Sequence, residues 1–233
     1  MGKFSIFDQV KKEGRSILTE FESKKILKQA GISVIETKLA KTQKEAVSLS
    51  QKMGFPVALK ITSPDVIHKS DSGGVKLSIN SVAEVKKAYD EILKKVRKQY
   101  PDAIIHGVSV QKMALAGTEV IVGSSKDPQF GPVIMFGLGG IYVNFLRDVA
   151  FRLAPLSRQG AKEMVEETKA YTLLRGIRGE ASSDIDSLID VLLRVSKLVA
   201  DFPEINELDI NPLFVYEEGK GCLALDVKMT IKP

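Results

Sequence analysis

"INELDINPLFVYEEGKGCLALDVKMTIK", residues 205–232, closes the chain, and its reading decides the architecture. Leu208 and Ile210 alternate with Glu207, Asp209 and Asn211, so three oxygen-bearing side chains share one face of a strand. A turn rich in Glu and Gly follows, and the apolar run from Cys222 returns as a second strand. With the turn centred on Glu218–Gly219, Asn211 falls opposite Asp226, and directly opposed side chains approach closely. An amide oxygen and a carboxylate are hard ligands, suited to Mg2+ that keeps some waters and leans on substrate phosphates. The same placement also fits a polar cross-strand pair at a solvent edge.

Outward from this hairpin, other extended runs are "TEVIVGSS" from Thr118, "GPVIMFGLGG" from Gly131, "IIHGVSVQKM" from Ile104, "VKLSI" from Val75, "PVALKI" from Pro56 and "ISVIETKLA" from Ile32. Helices announce themselves by capping boxes, in which a hydroxyl and an acid satisfy orphan amides: Thr19 with Glu22, Thr42 with Glu45, and Ser81 with Glu84. Gly31 and Gly54 offer stop chemistry for the first two. In the third, Val85, Ala88, Tyr89, Ile92, Leu93 and Val96 fall on one face. Further helical stretches are read around Ala161–Leu174 and after Ser183. Strands alternate with helices early and pair as hairpins later, which predicts an α+β arrangement of two lobes.

The 233 residues are 44% apolar and 27% charged, ordinary values for a chain with a proper core. The longest apolar run, from Val133, is short of the roughly 20 residues a membrane span needs, and no signal peptide is visible. A single cysteine, Cys222, allows no internal disulfide and fits a reducing compartment, so a cytoplasmic protein without membrane contact is expected. The net charge of +5 owes much to "VKKAYDEILKKVRKQY" from Val85, where Lys and Arg occupy the polar face of a helix. Aromatic residues are sparse there, which argues against a nucleic-acid platform.

Lys60 ends an apolar strand and is followed by "SPDVIHKSDSGGVKL", residues 63–77. A strand-end lysine can simply snorkel to water, but a Gly-Ser loop beside it offers amides and a point charge to phosphate. No Walker motif occurs. His68 sits in that polar loop, where core packing does not call for an imidazole. Near neutral pH it is partly unprotonated and can act as a nucleophile, so a phosphorylated carrier is one reading. His106, among apolar neighbours at a strand start, reads instead as structural. In "SVQKMALAGTEVIVG" the segment Gln111, Lys112 and Met113 could present backbone to an adenine edge, and Glu119 could grip ribose hydroxyls.

Taken together, these pieces resemble the ATP-grasp (beta) subunit of ADP-forming acyl-CoA synthetases of the acetate type, within the wider succinyl-CoA synthetase group. The likeness runs through "LTEFESKKILKQAGISV", "VALKITSPDVIHKSDSGGV", "DPQFGPVIMFGLGG", "DVAFRLAPL", "ELDINPL" and "LALDVKM". It implies an ATP-grasp fold whose two lobes clasp the nucleotide between antiparallel sheets. Residues 20–108 would be the small lobe, with phosphate loop and phosphohistidine. Residues 1–19 and 109–233 would be the larger lobe, with adenine hinge and metal site. It further implies Lys60 on ATP phosphates, Gln111, Lys112 and Met113 at adenine, Glu119 at ribose, and Asn211 and Asp226 on Mg2+. His68 would be the phosphohistidine and Asp209 the acid that orients it, with Arg147 and Arg152 as phosphate contacts.

The activity so implied is reversible phosphoryl transfer between His68 and ADP/ATP. It is coupled to acyl-CoA + ADP + phosphate = carboxylic acid + CoA + ATP in a CoA-binding alpha subunit, within an α2β2 hetero-oligomer. No CoA-binding fold is read in these residues, so the expectation is that the chain does not complete the reaction alone. A carboxylate–amine ligase of ATP-grasp type and a nucleotide-sensing module of an acetyltransferase partner are the competing readings. The acyl group is not legible.

Overall fold

The computed structural model describes residues 4–66, 69, 71–140, 148–176 and 181–232. The chain forms two compact units, one of residues 1–34 and 116–233, the other of residues 35–115. This division differs from the expected one at both ends. The helix that opens at Glu20 belongs to the larger unit, because Ile26 and Leu27 are fully buried in that unit's core. The strand carrying Gln111 belongs to the smaller unit, because it is an interior strand of that unit's sheet.

In the smaller unit, strands β1 (Thr37–Ala40), β2 (Val57–Thr62), β3 (Val75–Ile79) and β4 (Gly107–Lys112) form an antiparallel sheet in the order β1-β4-β2-β3. Helices α3 (Gln43–Met53) and α4 (Val82–Gln99) follow β1 and β3. Val57, Leu59, Ile61, Val108 and Val110 pack with Val85, Ile92 and Val96 of α4. The anticipated caps form with one difference. Thr42 and Ser81 accept from the N–H of Glu45 and Glu84, but each acid reaches back to the residue before its cap, Lys41 and Asn80.

The larger unit begins with α1 (Phe4–Lys12) and α2 (Glu20–Gln29). At α2 the full box closes, with Thr19 N–H donating to Glu22 at 2.7 Å while the Thr19 hydroxyl accepts from Glu22 N–H. Strands β5 (Thr118–Asp127), β6 (Gly131–Leu138), β7 (Val149–Leu153), β8 (Ile205–Val215), β9 (Cys222–Ala224) and β10 (Val227–Ile231) make one antiparallel sheet. Its order is β10-β8-β5-β6-β7, with β9 also on β8. Helices α5 (Arg158–Glu166), α6 (Ala170–Leu174) and α7 (Ile185–Asp201) share a core with one face of that sheet, through Met164, Leu174, Leu188 and Leu192.

The register of the closing strands is the one the turn chemistry predicts. Asp209 pairs with Lys228, Ile210 with Val227, and Leu213 with Ala224. Between β8 and β5 the register slips by one, since Asn211 and Pro212 together stand against Ile121 alone. The slip is visible in burial: Leu208 and Ile210 are core residues before it, Leu213 and Val215 after it. A bulge accommodates proline, which has no N–H for the ladder, and it re-aims neighbouring side chains.

Candidate functional site

On the larger sheet, the face turned away from the helices carries the acids that the sequence singles out. Val120 and Val122 point to the core, so Glu119 and Ile121 point the other way. By the same alternation Asp209 and Asn211 share the face opposite Leu208 and Ile210. One transverse row runs Lys228, Asp209, Gly123, Met135, Phe151 across five strands. It lines a cavity of about 230 Å³ together with Ile121, Ser125 and Glu207.

Asp209 is largely buried in that cavity, and its Oδ1 has no hydrogen-bond partner among the described residues. Burial pushes its carboxyl above the ordinary carboxylate range. Lys228 pulls the other way, while Asp226 and Glu207 add to the rise. A buried carboxylate oxygen without a donor is costly, and such a group is poised to accept one from a ligand.

Asn211 and Asp226 lie across from each other, joined by Asn211 N–H donating to Asp226 O at 3.2 Å. One Asp226 carboxylate oxygen accepts from the N–H of Val227 at 2.9 Å. Asn211 Oδ1 accepts from Gly140 N–H at 3.0 Å. An N–H can only donate, so this bond fixes which side of the amide is oxygen. An amide oxygen has a second lone pair, and with the Asp226 carboxylate it supplies two hard donors. The donor set therefore fits Mg2+ completed by water and nucleotide phosphate. Among the described residues no group of three His, Cys, Asp or Glu could hold a metal by itself.

Glu119, at the start of β5, stands opposite Phe214. Its backbone oxygen accepts from Gly139 N–H at 3.0 Å, and its carboxylate lies against Gly140. The sequence reading ends a strand at the Gly139–Gly140 pair and assigns it no part in the site. Paired glycines after an apolar strand are a signal of close backbone approach and could have revealed it.

In the smaller unit, alternation along β2 and β4 puts Lys60 and Gln111 on the face away from Leu59 and Val110. Both are buried, at 6% and 5% exposure, as are their neighbours Thr62 and Ser109. A buried ammonium demands acceptors around it and suits an anionic ligand. Lys112 points to the other face at the strand end and is exposed. Met113 N–H donates to Pro56 O at 3.1 Å, so that donor is already engaged inside the unit.

His68 and Arg147 lie outside the described residues. Arg152 sits on the helix-bearing face with Ala150, and both ends of its guanidinium bond Glu167. Here the Arg152 guanidinium is engaged in a partly exposed ion pair with Glu167. The backbone N–H of His106 donates to Thr62 O beside β4.

The ATP-grasp domain family matches residues 9–231. Similarity to the beta subunit of acetate–CoA ligase [ADP-forming] II from Pyrococcus furiosus is 47% identity, over 97% of this chain and 97% of that one. The chain belongs to the ATP-grasp family, in its ADP-forming acetate–CoA ligase beta-subunit branch. The 4-hydroxybutyrate–CoA ligase [ADP-forming] of Nitrosopumilus maritimus is 50% identical over 96% of this chain, which spans only 32% of that longer protein.

Two solved structures of acetyl-coenzyme A synthetase 1 from Ca. Korarchaeum cryptofilum share this ATP-grasp fold, each matching 99% of this chain and 100% of the chain compared. One, with coenzyme A and Mg-AMPPCP, has its phosphohistidine segment pointing towards the nucleotide binding site; TM-score is 0.86 at 42% identity. The other has a phosphorylated phosphohistidine segment in a site I orientation, with TM-score 0.89 at 43% identity. Among the described residues of the present chain, no helix is long and apolar enough to cross a membrane.

Proposed function

We propose that this chain is the nucleotide-handling beta subunit of an ADP-forming acyl-CoA synthetase, and that it moves a phosphoryl group between His68 and ADP. The observation that carries the reading is the Asn211–Asp226 pair, set beside Glu119 through the Gly139–Gly140 corner. In this reading Asn211 and Asp226 hold Mg2+, Glu119 takes ribose hydroxyls, Lys60 takes nucleotide phosphates and the Gln111–Met113 segment borders adenine. Because Met113 N–H is engaged by Pro56, the adenine edge is met by other groups of that segment. Mg2+, when bound, offsets charge on the nucleotide phosphates.

Phosphoryl transfer draws mainly on positioning and charge stabilisation. In the ATP-forming direction the N–P bond on His68 breaks as an O–P bond to the terminal phosphate of ADP forms. The imidazole nitrogen recovers the bonding pair as its lone pair, and the other ring nitrogen keeps its proton, so the ring is left neutral. Asp209 accepts the N–H of the other imidazole nitrogen while His68 is being phosphorylated, which fixes the tautomer. Its place in the lining of that partly apolar cavity, with Oδ1 lacking a partner among the described residues, supports that role. Upstream, on a CoA-binding alpha subunit, phosphate displaces the thiolate of CoA from the acyl group, and the acyl phosphate passes its phosphoryl group on as carboxylate leaves. An α2β2 assembly is proposed for the pair. The relatives act on different acyl groups by name, acetate and 4-hydroxybutyrate, in keeping with an acyl pocket on the alpha side.

The test is to purify the chain with its partner and supply acetyl-CoA or 4-hydroxybutyryl-CoA, ADP and phosphate. ATP and free CoA should appear in equal amounts, and only when both polypeptides are present. ATP-dependent joining of a carboxylate to an amine, with no CoA requirement, would overturn the reading.

A further inference from the structure

From the geometry around the end of β6 we infer that Gly140 is a positioning residue that couples the ribose acid to the metal amide. The inference rests on the roles proposed above for Glu119 and Asn211. Two independent contacts converge on this one residue. Its N–H donates to Asn211 Oδ1 at 3.0 Å, and its α-carbon lies against the Glu119 carboxylate so closely that a Cβ there would overlap Oε2. Gly140 also has φ +66°, in the left-handed region that glycine enters freely.

The neighbouring Gly139 shows why Gly140 is the informative one. A Cβ on Gly139 would run into the backbone of Val120, within 2.7 Å of its carbonyl oxygen, and the strand would have to move. At Gly140 the obstructing atoms are the far end of a flexible side chain. A methyl group at Gly140 is therefore accommodated by turning the Glu119 carboxylate away. Close packing then has a functional consequence: Glu119 and Asn211 are set together, one by space and the other by a hydrogen bond, so neither reaches its ligand independently.

The experiment uses the full chain and compares binding of ADP and 2′-deoxy-ADP, with and without Mg2+, by calorimetry. The native chain should prefer ADP, because a carboxylate on ribose hydroxyls is a charge-assisted bond. Gly140→Ala should reduce that preference by roughly tenfold, to the level of Glu119→Gln, and should also weaken the Mg2+ dependence of binding. Gly140→Asn tolerates the left-handed backbone better while still carrying a Cβ, so it should lose the preference with less loss of thermal stability. A merely structural role would lower stability and leave the ADP to 2′-deoxy-ADP ratio unchanged. If both Gly140 variants keep the native ratio while Glu119→Gln loses it, the coupling is wrong and the ribose reading stands. If Glu119→Gln itself keeps the ratio, the ribose reading falls and this inference with it.

Discussion

Asn211 and Asp226 face each other across the closing ladder, and the backbone N–H of Asn211 meets the carbonyl of Asp226 at 3.2 Å. The pair sits where β8 bulges against β5 and where β9 gives way to β10. Backbone pairing continues on either side, so substitution of these two side chains leaves the strands intact. Asp226→Ala and Asn211→Ala should each weaken Mg2+-dependent nucleotide binding by at least about tenfold, with Asp226 the larger loss because a charge is removed. Magnesium titration of nucleotide affinity checks this. Unchanged magnesium dependence in both variants would remove the pair from the metal site.

Asp209 makes no nucleotide contact in the proposed scheme, and it lines the cavity shared with Met135 and Phe151. Asp209→Asn should slow phosphorylation of His68 by about tenfold or more while changing ADP affinity by less than about twofold. Rapid-quench measurement of phosphoprotein formation, set beside calorimetric ADP binding, separates the two effects. Equal losses in both would place Asp209 in the nucleotide site instead.

Cys222 tests the electrostatics of the closing strand. Burial, with smaller contributions from Asp184 and Asp190, pushes its thiol up to about 12 from the ordinary 9.0. At pH 8 roughly one thiol in ten thousand is then ionised, so alkylation should run at least about a hundredfold slower than for a free thiol. The sign for stability follows from the same shift. The folded thiol keeps its proton where the unfolded one has lost it, so stability falls as pH rises from about 9 toward 12. Rapid modification by iodoacetamide at pH 8, without unfolding, would contradict this.

Thr19 tests the assignment of α2 to the larger unit. Its hydroxyl and N–H close a reciprocal box with Glu22, and Arg15 adds two bonds to the same carboxylate. Thr19→Ala should cost about 1 kcal/mol of stability, read as a lowered Tm. Nucleotide affinity should not change, because Thr19 and Glu22 are not among the residues proposed for the nucleotide.

Much of the site was legible because strand alternation is strict. Leu208 and Ile210 had to face the core, so Asp209 and Asn211 could not, and the Glu218–Gly219 turn fixed what stood across from them. The ATP-grasp fold was legible too, through long motifs in order rather than through any one glycine pair. What escaped depended on tertiary choices that local pattern does not carry. Ile26 and Leu27 make α2 amphipathic but do not say which of two cores receives it. The bulge at Asn211–Pro212 becomes visible only when β5 is laid beside β8. The pairing of Arg152 with Glu167, from the end of α5, likewise depends on how the helix meets the sheet. Gly140 has no side chain to read, and its role exists only through the two residues that close on it.

The central claim is that His68 carries the phosphoryl group, and labelled phosphate tests it most directly. The native chain, its partner subunit, acyl-CoA and radiolabelled phosphate are mixed without ADP, and the label on this chain is then challenged with acid and with base. The account predicts a label that acid removes and base spares, that added ADP discharges into ATP, and that His68→Ala abolishes while ADP affinity stays within about twofold of native. A His68→Ala chain that still takes up such a label and still turns over would contradict the account.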